Sequence, residues 1–499
     1  MENENKFISS IDDAGSVKET ENGQYAYSTT NNPLLDLFGV IGAMRERSDA
    51  DIESMIAAAY SVDRLHTLKS IFYARDIRGG LGERRTFRIA LRWLAKLHPA
   101  DAKINFPVIA TYGRWDDFYE FAGTALEGDA FDFMKDQFEA DIANAKAGKQ
   151  TSLLGKWLKS CNTTSEESRK LGRLTAKHFG LSEKDYRKSL SFLRKHLDVV
   201  ERHMSANEWG IDYETVPSKA MANYRAAFER HDHDGFAEYV KQLQKGEAKI
   251  NSSTLYPYDL VERYANGSHY LSVGNINDID EIVEAQWKAL PNYIDRPGNF
   301  VVMADVSGSM YGRPICSSLG LAIYFAQRNK GEFKNRFMTF TSDPQWVRTT
   351  GQSLHDDLAK ALKGPVGYDT NIEKAFQLVL DTCVANKVPA EDLPKAIIAI
   401  TDMEIDDATR TDGDPLDFTT DMARRFAAAG YEMPTIVWWN VNARNDTYHS
   451  RSTNRYARYV SGSSASSFGQ LVAGLSDSAE ALMLKVLDGE RYAPVRVAE

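Results

Sequence analysis

The sequence predicts an α plus α/β protein, an N-terminal all-α array followed by a doubly wound, Rossmann-like domain built on a parallel sheet. Three observations carry this. From about Pro33 to Leu290 apolar residues recur at three- and four-residue spacing, with scarcely any strand-like alternation. Near Pro297 the texture changes to short β-branched or aromatic runs. Those runs alternate with helices of ten or more residues, which is how parallel strands joined by crossover helices read.

Taken in order, residues 1–30 are polar and read as a tail or extended arm. Residues 31–295 form the helical domain, with helices expected over Val62–Tyr73, Arg84–Leu97, Phe131–Ala145, Lys188–Met204 and Ser218–Phe228. Stacked helical pairs fit this pattern, although no fixed sequence period marks a repeat. Residues 296–475 form the α/β domain. Its strands are expected over Phe300–Ala304, Arg336–Thr341, Lys395–Thr401, Thr435–Val441 and Arg458–Ser461. Helices are expected at Pro314–Gln327, Asn371–Val384 and Thr419–Ala429, with Ser466–Leu475 following. Residues 476–499 read as a C-terminal helix and tail.

At 499 residues the chain is too long for one core. Its 43% apolar and 26% charged residues exclude wholesale disorder. Cys161, Cys316 and Cys383 lie far apart and form no CxxC pair, which argues against a disulfide scaffold or zinc site and fits a reducing compartment. The acidic start, Met-Glu-Asn-Glu-Asn, is no signal peptide, and no apolar run approaches the ~20 residues a bilayer requires. A cytoplasmic protein with neither a membrane partner nor a small-molecule substrate is expected.

The net charge of −10 disfavours indiscriminate nucleic-acid binding, but the charge is segregated. Between Arg64 and Lys96 nine Lys/Arg stand against two acids, and residues 151–200 hold eleven against five. The first fifty residues hold four basic and nine acidic side chains.

The sharpest motif follows the first α/β strand, Asp305-Val-Ser307-Gly-Ser309. Alternating polar residues leaving a buried strand put a carboxylate and two hydroxyls on one side of a tight loop. Alone, such a motif is better explained by a turn with side chain to backbone bonds. Two further loops change the balance. Thr370 opens the helix at Asn371–Val384, and Asp402 ends the buried run Ala-Ile-Ile-Ala-Ile-Thr. Ligands of such sheets bind at the strands' carboxyl ends. Asp305, Ser307, Ser309, Thr370 and Asp402 therefore make a five-oxygen metal site suited to Mg²⁺ or Mn²⁺, hard cations that keep several waters.

An aspartyl-phosphate enzyme would want a second carboxylate at position 307, where Ser stands. A metal-dependent hydrolase would need Asp402, Glu404 or Asp406 as its base. No catalytic residue is assigned, and a non-enzymatic protein is expected. Glu404 and Asp406 either tune the rim of the site or belong to a solvated loop. His355 and His449 read as solvated surface histidines.

In the helical domain Arg84, Arg88, Arg92 and Lys96 fall on one helix face. Before them, Arg75-Asp-Ile-Arg78-Gly-Gly-Leu-Gly-Glu either cradles phosphate at a helix start or forms a glycine-rich turn with salt-bridged arginines. A second basic helix carries Arg187, Lys188, Arg194 and Lys195. From charge pattern alone, Arg75, Arg78, Arg84, Arg88, Arg92, Arg187, Lys188, Arg194 and Lys195 are the candidate RNA contacts. The segment Tyr112-Gly-Arg-Trp-Asp-Asp-Phe reads as a cap and packing motif with Trp115 buried.

The five-residue metal set resembles that of the von Willebrand factor A family, whose metal keeps an open position often filled by a partner's carboxylate. Ala74-Arg-Asp-Ile-Arg-Gly-Gly-Leu-Gly-Glu-Arg-Arg, the Tyr112 motif, Tyr186-Arg-Lys-Ser-Leu-Ser-Phe-Leu-Arg-Lys, Val216-Pro-Ser-Lys-Ala-Met and Leu255-Tyr-Pro-Tyr-Asp-Leu join it. Together, over about residues 35–475, they resemble the Ro autoantigen (TROVE) architecture, and more closely a relative of it spread through bacteria, phages and plants. That resemblance implies a ring of HEAT-like helical repeats closed by the A-type domain. It also implies a ribonucleoprotein that binds non-coding or misfolded RNA. A-type domains paired with MoxR-type ring ATPases imply the alternative, an adaptor that captures a partner's acidic residue at the metal.

Overall fold

The buried runs of the C-terminal part become strands of one mixed, mostly parallel sheet. The computed structural model describes residues 16–265, 271–294, 299–330, 332–341, 343–363, 370–406, 418–466, 468, 471 and 474–499. Its strands are β1 (Val17–Glu19), β2 (Tyr25–Tyr27), β3 (Phe300–Asp305), β4 (Arg336–Phe340), β5 (Gln345–Arg348), β6 (Ala396–Thr401), β7 (Thr435–Asn440) and β8 (Ala457–Ser461). The large sheet runs in the order β5-β4-β3-β6-β7-β8. Every residue of β3 and β6 is buried, which is why both read as unbroken apolar runs rather than alternating ones. They pair in parallel from Phe300–Ala396 to Ala304–Ile400, so Asp305 and Asp402 leave adjacent strand ends. The helix Arg313–Arg328 is buried from Pro314 to Ala326.

The expected strands and the helices Arg313–Arg328, Ile372–Asn386 and Phe418–Ala428 agree with the sequence reading to within two residues at each end. The proposed helix over 466–475 lies largely outside the described residues. One strand departs from the parallel expectation. β5 pairs with β4 antiparallel, because the four residues between them permit a hairpin and are too few for a crossover. Among the described residues no helix is long and apolar enough to cross a membrane.

The chain forms two compact units that interleave along the sequence. The sheet-bearing unit comprises residues 1–70, 79–82 and 255–490, and the helical unit 71–78, 83–254 and 491–499. Where the sequence suggested a single change of domain near residue 296, the chain passes between units several times. The described part of the polar N-terminal segment is no free tail. Tyr27 and Tyr448 exchange backbone hydrogen bonds of 2.8 and 2.9 Å. The helix Pro33–Val40, capped by Asn32, buries Leu34, Leu35, Leu37, Phe38 and Val40, and Ser461 Oγ of β8 donates to the Phe38 carbonyl. Residues 1–15 lie outside the described residues.

In the helical unit the basic helix spans Arg84–Leu97 as predicted, its apolar face buried along Phe87, Leu91 and Leu94. The continuous helix expected over Lys188–Met204 is broken into Glu183–His196 and Val200–Ser205. Asp198, between the two, takes a positive φ of 49° that a helix cannot accommodate. Around the Tyr112 motif, Phe118 stacks against Trp115 and Phe133 at ring separations of 5.5 Å. Trp115 itself is only partly buried. Cys161, Cys316 and Cys383 are free thiols and buried.

Candidate metal centre

β3 delivers Asp305 and the following turn delivers Ser307 and Ser309. Asp305 Oδ1 accepts from the Ser307 backbone N–H at 2.9 Å, which folds the loop back over the strand end. Asp305 Oδ2 accepts from Thr401 Oγ1, the last residue of β6, at 2.7 Å. Ser307 Oγ and Ser309 Oγ lie 3.2 Å apart, and the Ser309 hydroxyl bonds to the Asp402 carboxylate. Four of the five predicted residues thus form one hydrogen-bonded cluster.

Thr370 joins through the 402–406 loop. Its hydroxyl lies 3.4 Å from the Glu404 carbonyl and 3.2 Å from Asp406 Oδ2, and Asp406 Oδ2 also accepts from the Thr370 backbone N–H. Asp305, Ser307, Thr370 and Asp402 are all at most 2% exposed.

Two buried carboxylates this close cannot both ionise without cost. Burial, then the Asp402 charge, pushes the Asp305 carboxyl up to about 7. Burial raises Asp402 as well, opposed first by Arg444. Among the described residues no three His, Cys, Asp or Glu side chains cluster as metal ligands. The donor set is instead two carboxylates with hydroxyls. That set fits a small hard dication retaining waters, which would relieve the repulsion between the two acids.

Of the rim residues, Glu21, Met403 and Arg444 carry no sequence signal. Met403 has a φ of 71°, rare for a side chain of its size, and its carbonyl accepts from His449 Nε2 at 2.9 Å. His449 is therefore buried, not solvated, with its ring 4.8 Å from that of Trp438. Burial pushes its imidazole down to about 4, so it is neutral and donates from Nε2. Glu404 is buried too, which excludes the solvated-loop reading for it. Its Oε2 accepts from the Glu21 backbone N–H at 2.7 Å, and its Oε1 from Asn445 Nδ2 at 3.1 Å and Thr447 Oγ1 at 3.2 Å. Arg444 Nη2 reaches Asp402 Oδ2 at 3.0 Å and Glu21 Oε2 at 2.9 Å.

The basic candidates of the helical unit divide into two groups. Arg75 is 3% exposed and donates Nε to Asp117 Oδ2 at 2.8 Å. Arg88 donates Nε to Asp117 Oδ1 at 2.8 Å and pairs with Asp116 at 3.0 Å. Arg92 pairs with Glu120 at 2.5 Å. Of the two readings of the Arg75–Glu83 segment, salt-bridged arginines describe Arg75 and Arg88. A buried acid, Glu83, stands at the N-cap where a phosphate would sit. Arg194 spends its guanidinium on the carbonyls of Gly155 and Leu158 and on Ser160 Oγ. Arg78, Arg84, Arg187, Lys188 and Lys195 remain exposed.

A chain with one helical unit and one unit built on a mostly parallel sheet, the sheet carrying an acid-and-hydroxyl cluster at its strand ends, is the class that fold and site define. Residues 20–178 and 163–300 match the family described as a domain of unknown function, DUF2828, and residues 299–480 match the domain of unknown function DUF7788. The chain belongs to the DUF2828 family. It is also similar to the uncharacterized protein L728 of Acanthamoeba polyphaga mimivirus, at 28% identity over 470 residues covering 85% of this chain and 79% of the viral one. Neither family description names a von Willebrand factor A or Ro-type domain.

Proposed function

We propose that the sheet-bearing unit is a von Willebrand factor A-type module that holds Mg²⁺ or Mn²⁺ on Asp305, Ser307, Ser309, Thr370 and Asp402. It uses that site to dock a carboxylate of a protein partner, in a non-enzymatic protein. The observation that carries this is the pair of buried, mutually repelling carboxylates at adjacent ends of β3 and β6, bridged through two serine hydroxyls. Such an arrangement costs stability unless a cation joins it. The metal would supply an open coordination position to an incoming acid. The surrounding acids argue for docking over hydrolysis, because Asp402 faces Arg444 and both Glu404 oxygens are occupied, leaving neither as a ready base.

Calorimetric titration with Mn²⁺ tests the reading, and Asp305→Ala should abolish binding. Recovery of bound proteins from native cells with wild type and Asp305→Ala should then differ by at least one partner. Metal binding that survives Asp305→Ala would sink the proposal.

RNA binding by the helical unit is the second reading, favoured by the exposed cations Arg84, Arg187, Lys188 and Lys195. Clustered cations collect phosphates despite an acidic net charge, with affinity falling steeply as salt rises. Filter binding of structured and single-stranded RNA at two salt concentrations tests it. Arg84→Glu and Arg187→Glu/Lys188→Glu should each weaken binding. Equal, salt-insensitive retention would exclude it.

A further inference from the structure

The N-terminal hairpin places a carboxylate where it competes with the metal centre for one guanidinium. A single nitrogen, Arg444 Nη2, lies 3.0 Å from Asp402 Oδ2 and 2.9 Å from Glu21 Oε2. Asp402 is buried beside Asp305 and needs positive charge nearby. Arg444 supplies it without being locked in place. Its side chain is 26% exposed and its Nε is buried without a hydrogen-bond partner. The neighbouring Arg47 shows what a structural arginine here looks like. Its Nε donates to the Ala443 carbonyl, its Nη1 to Asp446 and its Nη2 to the Asn445 carbonyl.

Glu21, by contrast, is held from several sides. Its backbone N–H donates to Glu404, Asn22 Nδ2 donates to the Glu404 carbonyl at 2.7 Å, and Thr20 Oγ1 donates to the Ile405 carbonyl at 2.7 Å. Its second carboxylate oxygen accepts from Asn445 Nδ2 at 3.1 Å. The hairpin connecting β1 and β2 thus presents a fixed acceptor onto which Arg444 can retire.

We propose that Arg444 is a tethered counter-cation that occupies Asp402 when no metal does, and that Glu21 draws it away, so the hairpin sets the metal affinity of the site. This rests on the metal-docking reading above. Arg444 and Glu21 are positioning residues here. An ordinary surface ion pair at these positions would have little effect on anything.

A double-mutant cycle on the full-length protein tests the proposal, with Mn²⁺ affinity read from the paramagnetic resonance signal of the free ion. Arg444→Gln should tighten Mn²⁺ binding about tenfold or more, and Glu21→Gln should weaken it severalfold. In the Arg444→Gln background, Glu21→Gln should have almost no effect, because the carboxylate acts through the arginine. Arg444→Lys, which keeps the charge, should stay near wild type and guards against misfolding as the cause. Equal Glu21→Gln effects in both backgrounds would reduce the pair to a through-space field and overturn the proposal, as would unchanged or weaker binding by Arg444→Gln. Failure of the wild type to bind Mn²⁺ would instead remove the metal-docking reading itself.

Discussion

Asp117 is the most consequential single acid of the helical unit. It is fully buried and accepts from Arg75 Nε and Arg88 Nε at 2.8 Å each and from the Arg114 backbone N–H at 3.0 Å. Arg75 is itself buried, with a side chain 4% exposed, so Asp117→Ala strands a cation away from water. Removing one partner of a buried pair typically costs about 3–5 kcal/mol. Arg88 can fall back on Asp116 and on Glu120 at 3.5 Å, which places the expected loss toward the lower end. At about 2–4 °C per kcal/mol for a body of roughly 150–250 residues, the transition of the helical unit should fall by about 6–12 °C. Because two units can melt separately, the assay is scanning calorimetry with hydrogen exchange assigning each transition. Asp117→Asn, which keeps the shape and loses the charge, should lie between. A drop under about 3 °C for Asp117→Ala would refute the view that these arginines are spent on structure, and would return Arg75 and Arg88 to the pool of ligand contacts.

Three further outcomes follow from the sheet-bearing unit. Burial and Asp402 raise the Asp305 carboxyl from 3.8 to about 7, so its protonated form favours the folded state. That contribution is full below pH ~3.8 and is lost as pH rises through about 7, so in chelator Asp305→Asn should flatten the fall in melting temperature between pH 5 and pH 8. His449 has the opposite sign, because its folded value, about 4, lies below the ordinary 6.5. Stability is retained above 6.5 and lost as pH falls toward 4, by roughly 3 kcal/mol, and His449→Gln, which keeps a donor for Met403, should remove most of that acid loss on the pH–melting curve. Gly42→Ala should destabilise by more than about 2 kcal/mol in a urea titration, since a Cβ there would lie 2.7 Å from Leu81 Cδ1 and 2.9 Å from the Gly462 backbone.

The legible parts of the sequence share one cause. Strands buried on both faces have no polar alternation to confuse them, so β3 and β6 stand out, and with them the polar residues at their ends. Asp305, Ser307, Ser309 and Asp402 are legible because each stands at or just after a strand end whose position is fixed by that apolar run. The rim was not. Glu21 and Arg444 meet across 423 residues of chain, and nothing local to either announces the other. His449 reads as solvated because its neighbours, Thr447, Ser450 and Arg451, are polar, whereas Trp438 and the Met403 carbonyl enclose it. The basic stripe on Arg84–Leu97 was read correctly as a stripe. Its partners, Asp116, Asp117 and Glu120, lie within or beside the Tyr112 motif, where no sequence signal pairs them with the arginines.

The interleaving of the two units bears on how the chain is made. The first seventy residues belong with a unit whose remaining parts, apart from residues 79–82, begin at residue 255. At about 5–20 residues per second, a ribosome needs roughly 10–40 s to bridge that gap. Throughout it the apolar helix Pro33–Val40 has its neighbour Asp49–Val62 to pack on, but not β7, β8 or the helix Ala479–Leu487. The helical unit waits longer still, because its last piece is residues 491–499. Asp76 cannot meet Arg491 and Tyr492 until then. Both units can therefore first be closed only after residues 491–499 have been made, and fragments cut at any single point should leave one of them open.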